Sequence, residues 1–296
     1  MRLSAFLFVA MLGLIPSCKM MNSTSELRDS IEKELAANAG TFAVAFKDLQ
    51  TGEELFINEH EPFHAASTMK TPVMVEVYKQ AAEGTLSLND SITIKNEFKS
   101  IVDGSAYQLT AQDDSDTAIY QHLGEKRTLY SLVYDMIIQS SNLATNIVIE
   151  RVGADRVTQT LRSIGASNIK VLRGVEDSKA YQAGLNNEVT AFDLMLLFEK
   201  IGREEMVSPE ASQAMIKILL DQKYNDIIPA RLPEGVMVAH KTGWITGVHH
   251  DSALLRLPDG RKFVLILLSK ELKDEKAAVA SMAKVSEMIY EHVAAR

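Results

Sequence analysis

Ala66-Ser67-Thr68-Met69-Lys70-Thr71-Pro72 heads an apolar periodic run that continues through Val73, Met74, Val77, Tyr78 and Ala81 to Gly84. On a helix, positions three apart share a face with Cβ atoms about 5–6 Å apart, which brings the Lys70 ammonium within reach of the Ser67 hydroxyl. A serine hydroxyl becomes a useful nucleophile only when a neighbour takes its proton, and a lysine can do so once burial or nearby cations lower its pKa. The apolar stripe and a glycine at the C′ position make 66–84 a core helix headed by a nucleophile and its base. Pro72 disturbs the start, because inside an α-helix its ring clashes with the Thr68 carbonyl and it brings no donor. Two geometries satisfy it: a tightened or kinked first turn around Ser67, or a helix that begins at Pro72 with Ser67 in the turn before it.

Ser-x-x-Lys alone is weak, since the spacing recurs at Ser30/Lys33, Ser167/Lys170 and Ser281/Lys284. Ser67 is singled out by two later elements, Ser140-Ser141-Asn142 between two helical stretches and Lys241-Thr242-Gly243 at the end of a strand-like run. The first of these is also matched at Ser87-Leu88-Asn89, whereas Lys-Thr-Gly occurs once. The ordered trio carries the specificity.

The flanks read as an α+β chain. Leu27, Ile31 and Leu35 form a helical stripe over 25–37. Phe42-Ala43-Val44-Ala45-Phe46 and Glu54-Leu55-Phe56-Ile57 then flank the turn residues Asp48-Leu49-Gln50-Thr51-Gly52 as an antiparallel hairpin. The middle is helical. Thr128 opens a helix with Leu129, Leu132, Val133, Met136 and Ile137, 143–152 stops at Gly153, and 155–164 ends before Gly165. Thr190 to Asp193 is close to a capping box, and Ser208-Pro209 starts another helix. Residues 172–189 lack periodicity and read as a long loop. Strands return from 236 to 268 with a turn at Pro258-Asp259-Gly260-Arg261, and 274–293 is an amphipathic helix with Val279, Met282, Val285, Ile289 and Val293 on its stripe. The expectation is one antiparallel sheet drawn from both chain ends (25–65 and 225–296), flanked by helices, with an all-helical region inserted at 66–224.

With 46% apolar, 24% charged and 6% aromatic residues, the 296-residue chain has ample core material. A formal charge of −8 without a basic stripe argues against nucleic acid as a partner. Gln112-Asp113-Asp114-Ser115-Asp116 lacks the glycine and terminal glutamate of a calcium loop and reads as solvated surface. His240, His249 and His250 show no metal-ligand spacing, so neither a metal nor another cofactor is expected. Residues 1–17 read as an export leader, with Arg2 ahead of an apolar stretch too short for an ordinary membrane span. Ile15-Pro16-Ser17-Cys18 resembles the lipobox of bacterial lipoproteins. That resemblance makes 1–18 a lipoprotein-type signal segment and Cys18, the only cysteine, a lipid tether in the cell envelope or periplasm; the alternative is a plain leader with an incidental cysteine.

Ser67-x-x-Lys70, Ser140-x-Asn142 and Lys241-Thr242-Gly243, in this order, resemble the three signatures of the penicillin-recognising serine enzymes, class A β-lactamases in particular. The resemblance spans the chain from the first hairpin to the terminal helix and implies a β-lactamase/transpeptidase-like fold. It implies attack by Ser67, with Lys70 as proton acceptor aided by the like charge of Lys241, and an oxyanion hole from the Ser67 and Trp244 N–H groups. It further implies proton relay through Ser140, an amide contact from Asn142, and a carboxylate site at Lys241 and Thr242 beside a strand edge kept open by Gly243. Trp244 would wall the cleft. The substrate would be a β-lactam or a peptidoglycan-like peptide, handled by a monomer. Class A enzymes also carry a glutamate for deacylation, followed four residues on by an asparagine. Here Glu176 takes that place and Ala180 replaces the asparagine, with Glu188 a second candidate. Glu176 is open to two readings, catalytic base or surface carboxylate. Three activities accordingly fit: a β-lactamase, a D-alanyl-D-alanine peptidase or related serine esterase, and a penicillin sensor that stays acylated.

Overall fold

The computed structural model describes residues 23–296; the leader and Cys18 lie outside the described residues. Five antiparallel strands form the main sheet: β1 (Thr41–Asp48), β2 (Glu54–Ile57), β3 (Met237–Ile245), β4 (Val248–Arg256) and β5 (Lys262–Lys270), in the order β2-β1-β5-β4-β3. Both chain ends therefore contribute to one sheet, with β1 and β5 paired from Thr41–Lys270 to Asp48–Phe263.

The period-two alternation of strands explains why both faces are covered. Phe42, Val44 and Phe46 of β1 and Phe263, Leu265 and Leu267 of β5 pack with helix α1 (Thr24–Leu35) and the C-terminal helix Glu275–Ala294. Ala43, Ala45, Val264, Ile266 and Leu268 point the other way, into a larger core shared with the central helices. Those helices are α2 (Lys70–Ala82), α3 (Leu129–Ile138), α4 (Asn142–Val152), α5 (Ala154–Ser163), α6 (Ala191–Gly202) and α7 (Pro209–Leu220), and the C-terminal helix is α8. Their starts follow the sequence. The hydroxyls of Thr128, Ser141, Thr190 and Ser208 each accept a backbone N–H two or three residues into the helix they open.

Pro72 is accommodated by a tightened turn. Residues Ala66–Met69 form a 3₁₀ turn and α2 follows directly from Lys70, so the proline falls among the first helical residues, whose N–H groups have no intrahelical partner in any case. The 172–189 stretch is less irregular than its sequence suggests. It holds a short helix, Ser178–Gln182, and a strand, Glu188–Val189, which pairs with Phe63–His64 just ahead of the nucleophile.

The acidic cluster corrects the expectation of a solvated surface. Asp114 and Asp116 are buried, and the Asp114 carboxylate accepts the N–H groups of Asn142 (2.9 Å), Leu143 (2.8 Å) and Asp116 (3.0 Å) and the Tyr120 hydroxyl (3.0 Å). The N-terminus of α4 thus carries two caps, Ser141 from its own chain and Asp114 from a distant loop.

Candidate active site

The three sequence elements converge at one cleft. Its two lobes, about 530 and 440 Å³, meet at Ser67, Ser115 and Trp244. Ser140, Thr242 and Gly243 line the first lobe, and Asn142 and Glu176 line the second. Lys70 and Lys241 lie beneath the floor, with no exposed surface.

Three non-glycine residues here have left-handed backbone: Ala66 (φ 44°), Ser140 (φ 57°) and Glu176 (φ 61°). Each such residue costs of order 1 kcal/mol or more and is held only by its surroundings. Ala66 is pinned because its N–H donates to His64 Nδ1 (3.1 Å), while the His64 carbonyl accepts His250 Nε2–H (2.9 Å) from β4. Glu176 sits between two anchored neighbours. Val175 bonds the Asn146 amide through both its N–H (2.6 Å) and its carbonyl (3.0 Å), and Asp177 accepts Ser100 Oγ–H (2.9 Å) and the Ile101 N–H (3.0 Å).

The polar centre differs from a simple Ser–Lys pair. Among the described residues, Lys70 Nζ donates to the Ser140 carbonyl (2.7 Å), Asn142 Oδ1 (2.9 Å) and Ser140 Oγ (3.2 Å), and Ser67 Oγ is not one of its partners. Helical spacing sets where the two Cβ atoms lie; acceptors seventy residues away decide where the ammonium goes. Lys241 Nζ donates to the same Ser140 Oγ (3.1 Å) and to the Thr242 carbonyl (2.9 Å). With both lone pairs of its oxygen engaged, the Ser140 hydroxyl keeps its proton for a third partner.

Burial pulls the Lys70 pKa from 10.5 to about 7, against the raising effect of the Asp114 and Glu176 charges. Lys241 is also lowered, by burial and then by the Lys70 charge, with Asp251 opposing. Burial, and not the expected like charge of Lys241, accounts for the lowering of Lys70, and the repulsion between the two cations falls on Lys241. Desolvation, followed by the negative charge of Asp113, raises Glu176, while Lys70 and Arg173 draw it down. Its carboxylate receives a long contact from Asn142 Nδ2 at 3.5 Å. Glu188 is removed from the cleft, ion-paired to Lys170 at 2.8 Å.

Gly243 is required by contact. A Cβ there would lie 3.1 Å from the Ser67 nitrogen and 3.2 Å from both Ala66 Cβ and Thr68 Cγ2, so β3 can run against the nucleophile's turn only without a side chain. Trp244 is 62% exposed, and its indole N–H is held by Glu275 Oε2 (3.2 Å), which also binds His249 Nε2 (2.8 Å). The three histidines considered as metal ligands are engaged separately: His240 with Asp251, His249 with Glu275, and His250 with the His64 carbonyl.

Residues 26–293 match the β-lactamase enzyme family. The chain belongs to that family. As a member it is a serine hydrolase, and it matches relatives over nearly their whole length. A β-lactamase of Bacteroides uniformis is 25% identical over 96% of this chain and 98% of its own. The crystal structure of a β-lactamase from Sphaerobacter thermophilus superposes with a TM-score of 0.80 at 25% identity, covering 92% and 98% of the two chains. PBP-A, solved as a variant in an acyl-enzyme complex with penicillin G, gives a TM-score of 0.78 at 26% identity over 91% and 97%.

Sequence reasoning missed Asp114, Ser115, His64 and Asn146 among the residues that build this β-lactamase-family site. Their only signal was position: His64 lies three residues before Ser67, and Asn146 lies four after Asn142 on the same helix. Asp114 and Ser115 offered none.

Proposed function

We propose that the protein is a β-lactamase of the class A type that works through an acyl-enzyme on Ser67. The observation that carries this reading is the Ser140 hydroxyl held by two buried lysines beside Ser67, with its own proton left to give. At neutral pH, Lys70 passes readily between ammonium and amine. The ammonium suits the three acceptors around it; loss of one proton releases one contact and leaves a lone pair to turn toward Ser67.

Acylation then balances as follows. Lys70 takes the Ser67 proton, Oγ bonds to the β-lactam carbonyl carbon, and the carbon–nitrogen bond breaks. The departing nitrogen takes the Ser140 proton, which the lysines replace. The N–H groups of Ser67 and Trp244 stabilise the oxyanion, each worth about 2.7–4 kcal/mol in comparable sites. In deacylation Glu176 removes a proton from water, the water oxygen bonds to the acyl carbon, and Ser67 Oγ leaves with that proton. Its raised pKa suits it to both halves of the exchange.

A second reading is supported by Ala180, which is fully buried and offers Glu176 no amide to help hold a water. Acylation would then outlast hydrolysis, as in a sensor or a peptidase. In either case we assign 1–18 to export and Cys18 to a lipid tether in the envelope. Time-resolved intact mass of the protein extracted from its envelope, mixed with a penicillin, tests all of this. A β-lactamase shows an adduct on Ser67 that forms and clears; a persistent adduct favours the sensor or peptidase, and no adduct refutes the β-lactam reading. The starting mass reports whether the N-terminus is a lipidated Cys18.

A further inference from the structure

The mechanism above gives no task to the buried carboxylate of Asp114. It lies in the segment that supplies Ser115 to both lobes of the cleft, and its two oxygens take the N–H groups of Asn142 and Leu143. Asn142 in turn accepts Lys70 Nζ through Oδ1 at 2.9 Å. One residue therefore separates the carboxylate from the amine. We propose that Asp114 is a positioning residue for the reaction, clamping the Ser140–Asn142 corner against Lys70 and setting, through its buried charge, how readily Lys70 gives up its proton.

The surroundings leave few rivals for that role. The charged groups facing Lys70 are Lys241 on β3, Glu176 in the 172–189 segment and Asp114, and Asp114 is the strongest of the charges acting on its titration. Around Asp114 itself stand Tyr120, which donates its hydroxyl and is held neutral far above its ordinary range, the buried Asp116, and more loosely Asp113 and Glu176. The Asp114 carboxylate meets the positive, N-terminal end of α4 through two backbone N–H donors. Mechanically, the same bonds hold Ser140 in its left-handed backbone, because Asn142 cannot shift without breaking them.

The inference rests on the assignment of Lys70 as base, so the test reads Lys70 both with and without substrate. Asp114→Asn keeps the shape and one acceptor while removing the charge; Asp114→Glu keeps the charge and spoils the fit. In protein carrying ¹³C at lysine Cε, with the Lys70 resonance assigned by its loss in Lys70→Ala, the Asn variant titrates lower, by about one unit for a neighbouring charge of this kind. The Glu variant titrates with the wild type. Single-turnover acylation by a chromogenic cephalosporin follows: in the Asn variant its acid limb moves down, raising the rate at pH 5.5 relative to the plateau by up to about tenfold. The Glu variant loses plateau rate without moving the limb. An unchanged Lys70 titration in Asp114→Asn overturns the proposal whatever the kinetics do. A titration that moves while the kinetic limb stays still supports it and refutes Lys70 as the acylating base instead. Should the Asn variant fail to fold by circular dichroism, Asp114→Ser is titrated in its place with the same two outcomes.

Discussion

At the scale of single residues the site runs on a few protons held in unusual places. Lys70 loses most of its basicity because it has no exposed surface, and Ser140 becomes a donor because two cations occupy its lone pairs. Glu176 is the contrasting case, a carboxylate fixed through the Val175 backbone on one side and the Asp177 side chain on the other while its own side chain stays nearly unbound. That freedom suits a group that must handle a water, and it yields a separable prediction. Glu176→Gln keeps the size and the Asn142 contact, so acylation of Ser67 survives while hydrolysis of the ester slows by about 10²–10⁴. Rapid mixing followed by intact mass measures both rates; an acyl-enzyme that clears at the wild-type rate would remove Glu176 from the mechanism. The same substitution deletes a negative charge near Lys70, so the acid limb of acylation moves to lower pH as well, in the same direction as for Asp114→Asn.

At the scale of elements, catalytic geometry comes from three contacts between pieces distant in sequence: the 3₁₀ turn of Ser67 against β3, the α3–α4 corner over Lys70, and the 172–189 segment against Asn146. The first is the tightest. Gly243→Ala places a methyl group against backbone and buried side chains, so β3 or the turn of Ser67 must give by a few tenths of an ångström. Acylation is expected to fall about tenfold or more, since both proposed oxyanion donors flank this contact. Circular dichroism and stopped-flow acylation together check it: a folded variant that acylates at the wild-type rate would show that the strand tolerates the shift. Elements with local causes were legible in the sequence. Thr128, Thr190 and Ser208-Pro209 announce helix starts, Leu27, Ile31 and Leu35 a buried stripe, and Pro258-Asp259-Gly260-Arg261 a hairpin, because caps, stripes and turns are decided within a few residues. Asp114 was illegible for the opposite reason. An acidic string reads the same whether water or a helix N-terminus meets it, and only the packed chain places Asn142 and Leu143 opposite. The path of Lys70 Nζ escaped in the same way, since helical spacing fixes a Cβ and leaves three further methylenes to be directed by Ser140 and Asn142.

At the scale of the whole molecule, the sheet joins the two chain ends and also carries part of the site. Lys241 to Trp244 lie on its edge strand β3, and His250 on β4 reaches across to the segment before Ser67. The buried His250 ring meets the His64 carbonyl through Nε2 (2.9 Å), while its Nδ1 lies between the Ser269 N–H (3.2 Å) and the His249 carbonyl (2.9 Å). Burial lowers its pKa from 6.5 to about 4, and His64, desolvated and facing Arg173, is lowered too. For such groups the unfolded chain binds more protons than the native one in the window between the two pKa values. Their contribution is complete above pH 6.5 and is lost as the pH falls toward 4, below which both states are protonated. For His250 alone the loss between pH 7 and pH 5 is about 2 kcal/mol. Urea unfolding at the two pH values measures it. The wild type should lose at least that much, carboxylates held low such as Glu53 and Glu199 adding to the fall at more acid pH, whereas His250→Gln starts less stable at pH 7 and declines less steeply. Equal declines in the two proteins would mean that His250 does not titrate in this window.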